Sequence, residues 1–159
     1  MDDTEYMRMA LELARQAAAE GEVPVGAVVV SDDVVVGRGR NRREAGRSAL
    51  AHAELEAIAE ACRTLSGWRL WKATLYVTLE PCPMCAGAII NARIPRVVYG
   101  AADLKAGSCR SVIRLFDLPY NHRPEVVSGV LEQDCAAVLT AFFRSLRERQ
   151  AARRQLGTE

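Results

Sequence analysis

The stretch EPCPMC, residues 80–85, carries two cysteines three apart, with Pro81 before the first and Pro83 directly after it. The preceding residues 73–80, ATLYVTLE, are rich in β-branched and aromatic side chains and predict a strand ending at Glu80. Proline is favoured at the first helical position, where its missing N–H would have found no partner, so a helix is predicted from Pro83. Strand, tight turn and helix in immediate succession point to a layered α/β domain. Cys82 and Cys85 then share one face at the start of that helix. The partial positive charge of a helix N-terminus favours thiolate over thiol, and thiolate is the form that binds metal. Alone, the C-x-x-C leaves a metal clamp, a redox pair and two buried packing residues as open readings.

A second helix start narrows the choice. Residues 51–65, AHAELEAIAEACRTL, place Ala51, Leu55, Ile58, Cys62 and Leu65 on one stripe spaced by threes and fours. At about 100° per residue, Glu54 lies about 300° from Ala51, on the edge of that stripe, while Glu56 and Glu60 fall opposite and are expected to face water. A carboxylate bordering the interior is costly unless it has a partner. His52 stands two residues before it. By itself His52 also fits a capping or core histidine. Together, His52, Cys82 and Cys85 make a three-ligand zinc site of mixed nitrogen and sulfur type, with the fourth position open for water as in catalytic zinc centres. Cys62 and Cys135 lie on apolar stripes and read as packing residues. Cys109 sits in a Gly/Ser loop and is open between packing and a fourth ligand.

Around these two starts the pattern alternates. Residues 4–20 predict an amphipathic helix stopped by Gly21. The runs VGAVVVS (25–31) and VVVGRG (34–39) predict a hairpin turning at Ser31, Asp32 and Asp33. Residues 41–50 form a polar loop, RVVYG (96–100) a strand, 101–111 a long loop and EVVSGV (125–130) a last short strand. A closing helix over 131–149 turns Leu131, Cys135, Val138, Leu139, Phe142 and Leu146 inward, and residues 150–159 are expected to fray. No repeat or linker divides the chain, which reads as one domain over 1–159.

Composition sets outer limits. A domain of about 150 residues buries roughly 68–70% of its unfolded surface, so this chain needs no disulfides or metal to have a core. Five cysteines are an odd number for a disulfide framework. No run of 18 apolar residues suggests a membrane span, and the acidic start MDDTEYM is unlike a signal or transit peptide. The expected location is the cytoplasm, where thiols stay reduced. Net charge is +1, yet all but two of the 21 basic residues are arginine. Arg38, Arg40, Arg42, Arg43 and Arg47 crowd one loop, and Arg144, Arg147, Arg149, Arg153 and Arg154 crowd the C-terminal end. Such patches either read phosphates or are simply solvated surface.

The order H-x-E…P-C-x-x-C is the signature of zinc nucleobase deaminases. Over residues 5–149 the chain resembles the bacterial tRNA-specific adenosine deaminases of the cytidine-deaminase-like superfamily. The likeness rests on EVPVGAVVV (22–30), GRN (39–41), AHAELEAI (51–58), TLYVTLEPCPMCAGAI (74–89), RIPRVVYGA (93–101), NHRPEVVSGVL (121–131) and FFRSLR (142–147). The zinc residues belong to the whole superfamily; CPMCAGAI, NHRPEVVSGVL and FFRSLR are the narrower signal. The resemblance implies a three-layer α/β/α sandwich with a five-stranded mixed sheet, and a homodimer whose subunits share an RNA surface. It implies one zinc per chain and a tRNA anticodon stem-loop as partner. The implied reaction is hydrolytic deamination of the wobble adenosine to inosine by zinc-activated hydroxide, with Glu54 as proton shuttle. Asn41 would bind the flipped-out nucleoside, and Asp103, Lys105, Asn121 and His122 would contact neighbouring nucleotides. Phe142, Phe143 and Arg144 would meet the anticodon loop, although both phenylalanines also fit core packing. The loop AADLKAGSCRS (101–111) keeps Asp103, Lys105 and Gly107 but has Arg110 where the family leads one to expect a small residue. Two other functions share parts of this pattern: a deaminase of free guanine, cytosine or cytidine, and a structural zinc module that binds RNA without chemistry. The open coordination position and Glu54 speak against the last.

Overall fold

The computed structural model describes residues 1–157. At its centre is a strand buried on both faces. Along β1 (Gly26–Ser31), Ala27 and Val29 join one apolar cluster while Val28 and Val30 join another. Successive strand side chains point to opposite faces, so such a strand needs cover on both sides. α1 (Asp3–Ala19) and α4 (Glu132–Gln155) cover one face, and α2 (Ala53–Thr64) and α3 (Pro83–Asn91) the other. The remaining strands are β2 (Val34–Arg40), β3 (Ala73–Leu79), β4 (Arg96–Ala101) and β5 (Glu125–Ser128). They form one five-stranded sheet in the order β2-β1-β3-β4-β5. β1 runs antiparallel to β2 and β3, while β3, β4 and β5 are parallel, which makes the sheet mixed. This is the three-layer α/β/α sandwich expected from the sequence.

The hairpin turns at Asp32 and Asp33, whose φ values of 49° and 61° are the left-handed pair that a two-residue turn between twisted strands requires. Cys62 and Cys135 pack on the two apolar clusters, as their stripes predict. Two expectations need revision. α4 continues to Gln155 instead of ending near Arg149; residues 150–155 carry no apolar stripe to reveal a helix, but alanine, arginine and glutamine are strong helix formers. Thr158 and Glu159 lie outside the described residues. Glu56 and Glu60 do not simply face water either. They accept the backbone N–H groups of Arg40 and Arg38 on the open edge of β2, and Glu56 also pairs with Arg42 at 2.8 Å.

Topology gathers the chemistry at one end of the sheet. The register pairs Gly26 with Arg40 and Leu79 with Ala101, so the start of β1 and the ends of β2, β3 and β4 converge there. Ligands of open α/β sheets bind in this kind of crevice outside the strand ends. α2 lies directly on β2 because Gly37 and Gly39 have no side chains: a Cβ at Gly39 would overlap the carbonyl oxygen of Ala53, and one at Gly37 that of Ala57. That contact fixes the height of the first turn of α2. Among the described residues no helix is long and apolar enough to cross a membrane.

At the opposite end α1 is tied to the sheet. Arg96 donates to Asp3 through both terminal guanidinium nitrogens, at 2.8 and 2.7 Å, and the Tyr76 hydroxyl donates to Asp3 at 2.7 Å. The Arg96 bonds hold the Asp3 carboxyl below the usual carboxylate range against the opposing effect of partial burial. A lowered native value means that this stability is complete above the unfolded value of about 3.9 and is lost as pH falls through the native value. Asp3→Asn should therefore cost about 1 kcal/mol at pH 7, the scale of a part-exposed pair screened by solvent. Urea titrations of both proteins should show that difference shrinking at pH 3. A difference of the same size at both pH values would remove the electrostatic role given to Asp3.

Candidate active site

Two helices begin at this end of the sheet. His52 is the N-cap of α2, in extended backbone with φ −90° and ψ 150°; Cys82 is the N-cap of α3, with φ −73° and ψ 173° and Pro83 following inside the helix. The His52 side chain makes no bond back to its own helix, and that of Cys82 meets its helix through Cys85. Both turn instead towards each other. His52 Nδ1 lies 3.6 Å from Cys82 Sγ and 3.5 Å from Cys85 Sγ. The ligand atoms of the three residues all lie within 4.8 Å of one another. Tetrahedral zinc with Zn–N of about 2.05 Å and Zn–S of about 2.3 Å separates nitrogen from sulfur by about 3.5 Å. The triad therefore has the spacing and donor set of a zinc site, and could hold such an ion.

The protonation of the metal-free triad points the same way. The hydrogen bond from Cys85 draws the Cys82 thiol down to about 4, and His52 helps against the cost of burial. The same bond, together with burial, pushes Cys85 up. His52 is raised, chiefly by its bond to Cys82. The group thus gives up one thiol proton readily and keeps the second, and a divalent cation is what would stabilise the second thiolate. Cys109 is not among the metal-capable residues. It is buried in the cluster under α2 and α3, and burial pushes its thiol up to about 12.

Glu54, in the first turn of α2, is only 4% exposed and lines the cavity beside His52 and Cys82. Burial lifts its carboxyl above the usual range, and its own backbone N–H, His52 and Cys85 only partly offset this. The cavity has a volume of about 570 Å³ and is walled by apolar side chains, among them Val23, Val25, Leu79 and Leu139. A buried carboxyl of raised affinity for protons, beside three metal-capable side chains in such a space, has the character of a general acid–base group.

The other residues singled out from the sequence divide. Asn41, Asp103, Lys105 and Phe143 line the cavity. Asn41 also holds its own loop: its Nδ2 donates to the Val23 carbonyl, and its Oδ1 accepts the N–H of Arg43. Phe142 turns inward and is buried, whereas Phe143, touching it edge-on at 5.4 Å, is 40% exposed at the rim. Asn121, His122 and Arg144 are not part of the cavity wall. His122 Nε2 donates to the Ile94 carbonyl at 2.7 Å, a bond within the fold. In the loop arginine cluster, Arg40 pairs with Glu20 at 2.6 Å and Arg42 with Glu56, while Arg43 reaches the cavity.

Two carboxylates escaped the sequence reading. Glu22 accepts the N–H groups of Glu44 and Ala45, pinning the loop after β2. Glu80, the first letter of EPCPMC, accepts donors from Asp103, Cys109, Arg110 and Ser111. Burial acts to raise its proton affinity, but the Ser111, Arg110 and Asp103 bonds outweigh this and lower it. A glutamate ending an otherwise uncharged strand was the available signal. Arg110 is placed by the same loop: its guanidinium donates to Ser128 Oγ and to the Val126 carbonyl, stapling the loop to β5.

With this geometry in view, likeness to known proteins becomes informative. The model of the MafB19-like deaminase family matches residues 1–147. A tRNA-specific adenosine deaminase of Bacillus subtilis (strain 168) is 49% identical over 154 residues, 96% of this chain and 96% of that one. One from Haemophilus influenzae (strain ATCC 51907 / DSM 11121 / KW20 / Rd) is 46% identical over 97% of this chain and 90% of its own. Among solved structures, a tRNA:A34 deaminase studied for A-to-I editing at the wobble position superposes with a TM-score of 0.83 at 47% identity, covering 86% of this chain and 99% of that one. A guanine deaminase from Nitrosomonas europaea superposes with a TM-score of 0.71 at 26% identity, covering 87% and 83%. The chain belongs to the MafB19-like deaminase family, among the bacterial tRNA-specific adenosine deaminases.

Proposed function

We propose that this chain deaminates the wobble adenosine of a tRNA anticodon stem-loop to inosine in the cytoplasm, using one zinc ion held by His52, Cys82 and Cys85. The observation that carries the chemistry is Glu54, a buried carboxyl with raised proton affinity beside the metal-capable triad. Zinc, when bound, acidifies a water molecule from about 15.7 towards about 7. Glu54 receives the first proton of this water and passes it to ring N1; once the oxygen is bonded to C6, Glu54 takes the remaining hydroxyl proton and delivers it to the departing amino group. The water oxygen becomes the C6 carbonyl and nitrogen leaves as ammonia, so adenosine plus water gives inosine plus ammonia. The apolar wall keeps the Glu54 carboxyl desolvated and receives the flat faces of the base.

The substrate choice rests on the relatives at 44–49% identity, each a tRNA-specific adenosine deaminase. The guanine deaminase shares the scaffold at lower identity, so the fold alone does not select the base. The rim suits a splayed loop. Leu104, 84% exposed beside Lys105, and the half-exposed Phe143 both line the cavity; apolar and aromatic surfaces of this kind stack unpaired bases. Asn41, Asp103 and Lys105 are placed to contact the nucleoside and its neighbours, with Asn121, His122 and Arg144 further out on the RNA face and the buried Phe142 supporting Phe143 from within. A second copy of the chain completes the RNA surface in this account. Trp68 is 50% exposed beside a shallow hollow formed by Ile58, Cys62 and Ala88, and contiguous exposed apolar surface marks interfaces.

Purified protein should contain about one equivalent of zinc. Elemental analysis should find the same in Cys109→Ser and Glu54→Ala and almost none in Cys82→Ser. Glu54→Ala should lose at least about 10²–10⁴-fold of inosine formation from the stem-loop while binding it normally. Zinc loss in Cys109→Ser matching that in Cys82→Ser, or near-normal turnover by Glu54→Ala, would refute the respective assignment. For the RNA face, neutralising Arg144 and Arg147 should weaken stem-loop binding and flatten its log–log salt dependence by about 0.7 per lost phosphate contact. An unchanged slope would take these arginines off the RNA. For the dimer, sedimentation should find a two-chain species that Trp68→Glu dissociates; a monomeric wild type would exclude the shared surface.

A further inference from the structure

Glu80 lies between the metal-binding segment and the loop that rims the cavity. It is 2% exposed, and only Pro81 separates it from Cys82. Oε1 accepts the N–H of Asp103 and the hydroxyl of Ser111; Oε2 accepts the N–H groups of Cys109, Arg110 and Ser111. A carboxylate offers about four lone-pair positions, so five donors saturate it. No capacity remains for a substrate atom or a proton relay. Glu80 acts through what it holds.

What it holds is the wall that carries Asp103, Leu104 and Lys105. The loop has further ties: Asp103 Oδ1 accepts the N–H groups of Lys105 and Ala106, the Ser108 N–H donates to the Pro81 carbonyl, and the Arg110 guanidinium reaches β5, but among these side-chain anchors only Glu80 gathers donors from both Asp103 and residues 109–111. A second, independent feature marks the same contact. A Cβ at Gly107 would collide with the carboxyl carbon of Glu80 and the carbonyl oxygen of Asp103. The loop can wrap the carboxylate this closely only with glycine there.

We infer that Glu80 is a positioning residue: it locks the 103–111 loop to the metal-binding segment and so sets how nucleotides flanking the target base are held. This rests on the deaminase reading above. Chemistry at the base belongs to Glu54 and the metal ligands, so loosening the lock should act on binding more than on turnover.

The test is steady-state kinetics on an anticodon stem-loop, with zinc content and amide exchange measured on the same samples. Glu80→Gln keeps the shape but presents an NH₂ group to donors. It should raise KM about tenfold or more while kcat stays within about threefold and zinc is retained. Gly107→Ala should give the same split, and the double variant should be no worse than the poorer single, because both break one contact. Ser111→Ala removes one donor of the five and should shift KM in the same direction by a few fold, which covers the case of a Glu80→Gln protein that does not fold. Exchange of the Cys109, Arg110 and Ser111 amides should accelerate in Glu80→Gln whatever the substrate proves to be. Failure of the wild type to deaminate the stem-loop would overturn the parent reading, with amide exchange still deciding this one. Losses confined to kcat, additive effects of Glu80→Gln and Gly107→Ala, or unaltered exchange would each overturn the lock.

Discussion

Three metal-capable side-chain atoms from helix starts 30 residues apart in sequence arrive within 4.8 Å of one another, and the architecture is arranged around that meeting. His52 and Cys82 sit at N-caps, where backbone geometry is still free to turn a side chain aside from the helix face, and Cys85 follows in the first turn of α3. Pro83 fixes where α3 begins. Gly37 and Gly39 fix how closely α2 rides on β2. The mixed sheet then brings the ends of β2 and β3 side by side through β1. Two helix N-termini pointing at one spot supply the partial positive charge that favours thiolates, and a bound divalent cation would complete what they begin.

Two buried glutamates, Glu54 and Glu80, line the cavity and a third, Glu22, is buried next to its wall residue Val23, and their surroundings assign them different work. Glu54 is desolvated and weakly compensated, so its carboxyl is raised and suited to carry a proton. Glu80 is equally buried but takes five donors, so it is lowered and suited to anchor a loop. Glu22 accepts two backbone N–H groups from the loop on the other side. Paired environments that push like groups in opposite directions separate acid–base chemistry from scaffolding without any change of residue type. The result is a rigid floor under a cavity whose two rim loops are each pinned by one buried carboxylate.

Much of this was legible before any coordinates. The triad could be read because proline and capping rules mark helix starts, and Glu54 because the angular position of a residue on a helix is fixed by counting. Alternation of apolar runs was enough for the layered fold. The same counting separates Phe142 from Phe143: neighbours on a helix lie about 100° apart, so the two were bound to face differently. Glu80 was hidden for a different reason. Its partners lie 23 to 31 residues downstream in an irregular loop, and no periodicity connects a strand end to a loop. Arg110 and His122 were hidden likewise, since their partners on β5 and at Ile94 are met only in three dimensions. The helix beyond Arg149 is exposed and carries no apolar stripe, so only intrinsic propensity could have revealed it.

The central claim is that the triad, Glu54 and the rim loops together form a catalytic centre for adenosine held in an RNA loop. Nucleoside analysis of an anticodon stem-loop with adenosine at the wobble position, after incubation with the zinc-loaded wild-type protein, tests it most directly when run beside free adenosine, guanine and cytosine. The account expects conversion of that single adenosine to inosine with one ammonia released, and negligible ammonia from the free compounds. An intact stem-loop together with rapid ammonia release from a free base would contradict it, as would a zinc-loaded protein that binds the stem-loop and changes nothing.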